Sequence, residues 1–246
     1  MRECDSVAHL HGIRLQFKGV MRVNKVFKAA KSVYKSIVPE PIRRSKLATR
    51  LRRMLPHNAM YDADYYVYVE EHTQKASATI ATSIINDLHP RSAIDVGCGT
   101  GAVLDALRQR GCEVVGLEYS ESGLEYCINR KLDVRKFDIE RDTLGLDQVF
   151  DVAVSTEVAE HLPESCADRY VDLLTRLAPQ IVFTAAVPGQ GGTDHVNEQP
   201  ASYWISKFAA RGYVHNVELS QEWGRAWKDA GIASWFWMNI MIFRKS

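Results

Sequence analysis

Ile94-Asp95-Val96-Gly97-Cys98-Gly99-Thr100-Gly101-Ala102 decides the reading of this chain. Three apolar-flanked positions form a short buried strand, and three alternate glycines then let the backbone turn sharply. The apolar positions Ala102, Val103, Leu104 and Leu107 open a helix behind the turn. A strand, a glycine turn and a helix N-terminus together make a ligand cradle of backbone amides. Dinucleotide-binding loops place glycines first, third and sixth. Here they stand first, third and fifth, at Gly97, Gly99 and Gly101, and Asp95 precedes them. A carboxylate there repels a pyrophosphate and suits a ligand that carries positive charge.

Outward from the loop, strand and helix patterns alternate. Strands are expected at 93–96, 113–117, 134–137, 149–155, 180–185 and, as a final apolar run, 235–243. Helices are expected at 70–88, 100–110, 122–130, 168–177 and 200–211, with a tyrosine cluster (Tyr61, Tyr65, Tyr66, Tyr68) ahead of the first. Short strands alternating with helices of 10–15 residues predict a parallel sheet covered on both faces. Glu118 ends the second strand about twenty residues after the loop, where a carboxylate accepts ribose hydroxyl protons. Asp138 ends the third strand, within reach of an exocyclic amine. Farther on, Glu157, Glu160 and His161 stand at i, i+3 and i+4, and His195 lies in the polar, glycine-rich stretch 187–200.

These motifs, with Ser155-Thr156-Glu157-Val158-Ala159-Glu160-His161-Leu162, resemble the successive motifs of class I S-adenosylmethionine (SAM) dependent methyltransferases. The resemblance covers about residues 61–243. It implies a Rossmann-like, seven-stranded, mostly parallel sheet with one antiparallel strand and SAM at the carboxyl ends of the strands. It also implies that Asp95, Gly97, Gly99, Gly101, Glu118, Asp138 and Glu157 bind the cofactor. More loosely, the stretch 187–213 resembles bacterial methyltransferases of surface-glycan and secondary-metabolite genes, which points to O-methylation of a small hydroxylated or glycan-linked acceptor.

Three readings of the acidic–histidine segment stand side by side. His161, with His195, can act as a general base, because an imidazole titrates near neutrality. Alternatively Glu157, Glu160, His161 and His195 bind a divalent ion. Glu-x-x-Glu-His resembles the metal-binding segment of small-RNA 2′-O-methyltransferases and of ubiquinone-pathway O-methyltransferases, and oxygen-rich ligands would favour Mg2+ or Mn2+. In the third reading the trio only shapes the pocket. Glu198, Asn197 and Gln199 either hydrogen-bond a substrate or cap the helix that follows.

Charge divides the chain. Residues 1–60 hold 14 of the 31 Lys/Arg and three of the 30 acidic residues, a net of +11 that leaves −10 for the rest. The boundary is drawn as a basic amphipathic extension over 1–56 and a methyltransferase domain over 57–246. A helical period begins just after Met21, with Val23, Val26, Phe27, Ala30, Tyr34 and Ile37 on one face and lysines between them. Such a helix packs on its own domain, lies on an anionic membrane surface or attracts a polyanion. The last two options give the alternatives of an RNA 2′-O-methyltransferase and of a non-catalytic, membrane-associated SAM-binding scaffold. The acidic remainder opposes nucleic acid. Five cysteines without ligand spacing fit free thiols in a reducing compartment, so a cytoplasmic protein is expected, with contact at the inner membrane surface through residues 21–56.

Overall fold

The computed structural model describes residue 61, residues 63–145 and residues 149–246. The basic extension and the expectations attached to it therefore lie outside the described residues.

The strand before the glycine loop, β1 (Ser92–Val96), is central: Ala93, Ile94, Asp95 and Val96 are all buried. It pairs in parallel with β2 (Glu113–Glu118) on one side and with β4 (Val152–Thr156) on the other. Beyond them lie β3 (Val134–Lys136), β5 (Gln180–Thr184), β6 (Tyr213–His215) and β7 (Met241–Lys245), in the order β3-β2-β1-β4-β5-β7-β6. Among the described residues only β7 runs antiparallel, against both β5 and β6. The chain thus moves outward from β1 to β3 and returns to the other side of β1 at β4. Connections leaving β1 and β4 diverge, which opens a crevice at their carboxyl ends, where open α/β sheets bind ligands.

Period-two alternation assigns each strand residue to one of two cores. On one face Ile94, Val96, Ala153, Ile181, Phe183 and Phe243 meet α4 (Ala167–Leu177) and α5 (Ala201–Ala209) through Tyr170, Leu174, Trp204 and Phe208. On the other, Ala93, Val152, Val154, Val182 and Ile242 meet α1 (Ala63–Leu88), α2 (Ala102–Arg108), α6 (Val217–Asp229) and α7 (Ser234–Asn239). A further helix, α3 (Glu121–Asn129), joins β2 to β3. Trp223 and Trp227 are fully buried there, and their indole N–H groups donate to Asp87 Oδ2 (2.6 Å) and Ser83 Oγ (2.9 Å) of α1. These two tryptophans build core.

Three expectations change. First, the apolar run 235–243 is not one strand but α7 followed by β7. Phe236 and Ile240, four apart, are buried while Met238 is 63% exposed, a helical period that a short apolar run conceals. Second, α1 begins at Ala63, so Tyr65, Tyr66 and Tyr68 stand on the helix rather than ahead of it. Third, β6 and α6 were not expected. β6 has three residues, too few to show alternation, whereas α6 carried a readable signal in Asn216, whose side chain accepts from the Leu219 N–H at 3.1 Å.

Phe243 is fully buried and stacks on Phe208 at 4.1 Å between ring centres. Phe243→Ala is expected to destabilise the domain by about 3–5 kcal/mol through lost contacts and a cavity between β7 and α5. Chemical denaturation should show a lower midpoint with an unchanged slope.

Candidate functional site

The glycine loop is shaped by positive φ at Gly97 (80°), Gly99 (57°) and Gly101 (73°), a region that side-chain-bearing residues avoid. The Gly97 and Cys98 amides donate to the Leu117 carbonyl (2.8 and 3.1 Å), which locks the loop onto the end of β2. Glu118, the next residue, is buried and accepts from the Gly99 amide (2.8 Å), the Ser120 amide (2.7 Å) and the Tyr66 hydroxyl (3.2 Å). Burial raises its pKa, and the Ser120, Gly99 and Tyr66 bonds oppose the rise. The expected ribose carboxylate is therefore held at a fixed place by the loop itself. Tyr66, which sequence reasoning left among a tyrosine cluster, covers that place from α1.

Asp95 stands one residue before the end of β1, near enough to Glu118 to feel its charge. Its side chain is buried, and Oδ1 has no hydrogen-bond partner. Burial, reinforced by the negative charge of Glu118, pushes its pKa up to about 8. The Thr100 hydroxyl is buried and unpartnered as well. An orphaned acid and an orphaned hydroxyl fit a ligand that brings a cation and hydrogen-bonding groups, which is the chemistry of SAM. Asp138 stands two residues past β3. It braces a turn there, since its amide donates to Asp142 Oδ2 (2.8 Å) and its Oδ1 accepts from the Glu140 amide (2.9 Å).

The second half of the site follows β4. Glu157 takes a left-handed conformation (φ 58°), its amide donating to Thr184 Oγ1 at 3.0 Å. A single 3-10 turn, Ala159–His161, comes next. Glu157, Glu160 and His161 therefore do not share a face of an α-helix, the arrangement their spacing suggested. The loop after β5 brings them a partner instead. The Glu160 carbonyl accepts from the Val196 (2.9 Å) and Asn197 (3.1 Å) amides, which pins residues 194–197 beside the turn. As a result one ligand atom each of Glu160, His161 and His195 lies within 4.8 Å of the others, and the two imidazoles meet edge to face at 5.0 Å. Glu157 is not in that group. Neither Glu160 oxygen makes a hydrogen bond, and burial with the adjacent Glu157 charge raises its pKa well above the ordinary carboxylate range. Glu157 is itself pushed up to about 7 by burial, against bonds to Thr184, Asn239 and Gln190.

Tyr65 links the two halves. Burial raises its hydroxyl pKa first, and the charges of Glu160, Glu118 and Glu157 raise it further, so it feels carboxyls of both halves. Glu198 does not face outward as a substrate contact. It accepts from the Gly189 (2.8 Å) and Gly191 (2.7 Å) amides and from His195 Nδ1 (3.0 Å). Asn197 is buried and accepts from Gln199 Nε2 at 2.9 Å. No helix of the described residues is long and apolar enough to cross a membrane.

Comparison with known proteins agrees with this geometry. Residues 94–177 match the family model described as a methyltransferase domain. The chain is similar to ubiquinone biosynthesis O-methyltransferases, 36% identical to that of Methylococcus capsulatus over 94 residues, which is 36% of this chain and 39% of the relative. It is 26% identical to that of Stutzerimonas stutzeri over 164 residues, 58% and 65% of the two chains. The matches thus span less than two thirds of these relatives' length. Among solved structures, the sugar N-methyltransferase KedS8 of a Streptoalloteichus species superposes with a TM-score of 0.57 at 16% identity, over 74% of this chain and 92% of that one. Magnesium protoporphyrin IX methyltransferase of Synechocystis with bound SAH gives 0.55 at 15%, over 83% and 96%. At such identity these two show the shared fold.

The raised carboxyls carry a sign for stability. Folded Asp95 keeps a proton that the unfolded chain has already released above its ordinary carboxylate pKa, so its contribution weakens as pH climbs towards about 8. Asp95→Asn should remove that slope. Between about pH 5 and pH 8.5 the ligand-free wild type is expected to lose stability relative to the variant, measured as the difference in denaturation midpoints. A pH-independent difference would show that Asp95 ionises normally.

Proposed function

We propose that this chain, which carries a class I SAM-dependent methyltransferase domain, transfers the SAM methyl group to an oxygen of a small hydroxylated or glycan-linked acceptor. The observation that carries the reading is the convergence of Glu160, His161 and His195 at the carboxyl end of β4, beside a crevice whose acids await a cation.

Cofactor binding falls to the first half of the site. Asp95 answers the positive charge of SAM, Glu118 takes the ribose hydroxyls in place of the Tyr66 hydroxyl, and the second Asp138 oxygen reaches for the adenine amine. Bringing cationic SAM beside Asp95, whose pKa stands at about 8, favours its ionised form, so binding at neutral pH releases a proton. Gly99 leaves room against the backbone for the ligand, while Gly97 and Gly101 let Val158, Leu132 and Cys127 pack closely on the loop. Transfer is a displacement in line: the acceptor oxygen forms a bond to the methyl carbon as the sulfur–carbon bond breaks, and the sulfonium charge disappears. Most of the acceleration comes from holding the oxygen opposite the sulfur. The acceptor's hydroxyl proton passes to the His161–His195 pair.

A second reading has its own support, the buried Glu160 carboxyl without a hydrogen bond beside two imidazoles. That donor set fits a divalent ion, and with two nitrogens and one oxygen it suits Mn2+ better than Mg2+. Glu160, His161 and His195 would hold it, with Glu157 lending charge from outside. Such an ion supplies a grip on the acceptor hydroxyl and lowers its pKa. The names of the curated relatives support oxygen as the atom methylated.

SAM titrated into the purified chain should bind saturably. Asp95→Ala should weaken binding about tenfold or more by removing a charge-assisted contact, and Gly99→Arg should abolish it. Intact binding in both variants would overturn the cofactor site. In a methyl-transfer assay over hydroxylated acceptors, a rate lost with EDTA and restored by Mn2+ would favour the second reading. A rate indifferent to EDTA but reduced about 100-fold or more by His161→Ala would favour the imidazole base.

A further inference from the structure

We infer that Glu198 is a positioning residue which fixes the His195 imidazole as the Nδ1–H tautomer, so that the unprotonated Nε2 is the working nitrogen. The inference rests on the reading that His195 serves the transfer site, and it holds whether His195 acts as base or as metal ligand.

The loop between β5 and α5 is built around this carboxylate. Glu198 Oε2 accepts the Gly189 amide and Oε1 accepts the Gly191 amide, at 2.8 and 2.7 Å. Both oxygens are thus committed as acceptors, and the atom they turn towards His195 Nδ1, at 3.0 Å, must receive a hydrogen from the ring. In a neutral imidazole a proton on Nδ1 leaves Nε2 with its lone pair exposed. A lone pair is what both a proton acceptor and a metal ligand require.

Gly192 fixes the ring from its face. A Cβ at that position would lie 2.2 Å from His195 Nε2, 2.4 Å from Cε1 and 2.7 Å from Cδ2. Near-equal separations from three ring atoms put that point over the plane of the ring, not along the in-plane lone pair of Nε2. The glycine therefore seats the ring face and leaves the Nε2 lone pair open. From the far side the loop is tied to the acceptor half of the site, because the Val196 and Asn197 amides both donate to the Glu160 carbonyl. Glu198 sets the rotation and tautomer, Gly192 the tilt, and Glu160 the distance. Nothing in this arrangement requires Glu198 to touch substrate, cofactor or the reacting atoms.

The test is long-range 15N–1H NMR of the full chain labelled at histidine nitrogens, recorded well above the ordinary histidine pKa so that rings are neutral. His195 is assigned by the signals missing in His195→Asn. Wild type is expected to show a pyrrole-type Nδ1 and a pyridine-type Nε2. Glu198→Ala should shift the ring towards the Nε2–H form that imidazole favours in water, and should lower kcat about 10–100-fold with SAM affinity unchanged. A wild-type ring protonated on Nε2, or a tautomer ratio unmoved in Glu198→Ala, would overturn the assignment. Should the variant fail to fold, the wild-type spectrum alone decides. The spectrum is read without acceptor or metal, so a chain that transfers no methyl group refutes the proposed activity and leaves this result standing.

Discussion

Four acids, Asp95, Glu118, Glu157 and Glu160, end β1, β2 and β4 or the turn after it, and all four are largely shielded from water. Among the described residues none of them forms an ion pair with lysine or arginine; those pairs lie elsewhere, as with Glu70–Arg130 and Asp172–Arg211. An ionised carboxyl without a cation in such a place is costly, and burial raises the pKa of all four acids. The rest of the site is arranged around that cost. Glu118 is the one acid with a full set of donors, which come from the glycine loop, the turn after β2 and α1. Glu157 is partly compensated by Thr184, Asn239 and Gln190, whereas Asp95 and Glu160 lack such compensation. Their ionisation requires positive charge brought in by ligands, first beside Asp95 and then beside Glu160.

The two cores make this tolerable. Every strand that ends in one of these acids is packed on both faces, Ile94 and Val96 against one layer and Ala93, Val152 and Val154 against the other. Burial on that scale, at roughly 25 cal/mol per Å² of apolar surface, leaves room for a few unfavourable groups at one end of a sheet. The crevice exists because connections from β1 and β4 leave in opposite directions, a property of strand order and not of any side chain.

Legibility in the sequence followed the locality of the cause. The loop from Asp95 to Gly101 was readable because its function depends on backbone conformations that only glycine supplies cheaply, within seven consecutive residues. Glu118 was readable because strand length and crossover length fix its distance from the loop. The parallel core strands were readable from apolar runs bounded by turns. By contrast, the run at 235–243 hid a helix, because Trp235, Phe236 and Trp237 are as apolar as strand residues and only Met238, exposed, reveals the period. Glu157, Glu160 and His161 had helical spacing in sequence, but a left-handed Glu157 and a 3-10 turn rearranged them. Tyr65 and Tyr66 carried no spacing signal for the site at all, since their place depends on where α1 crosses the sheet.

The same difference separates what the site says about cofactor and about acceptor. On the cofactor side, the glycine-loop contacts run through elements whose register the sheet dictates: Gly97 and Cys98 to Leu117, Gly99 to Glu118. A ligand that fits them must have one charge pattern and one shape. On the acceptor side, His195, Glu198 and Asn197 hang on a loop of residues 187–200 held by two amide bonds to the Glu160 carbonyl, one from Gln199 to the Ala186 carbonyl and one from Asn239 Nδ2 to Gln190 Oε1. Changes of length or composition in that loop could alter the acceptor without disturbing a strand. The fold therefore constrains the methyl donor tightly and leaves the choice of acceptor to a few side chains hung from a single turn.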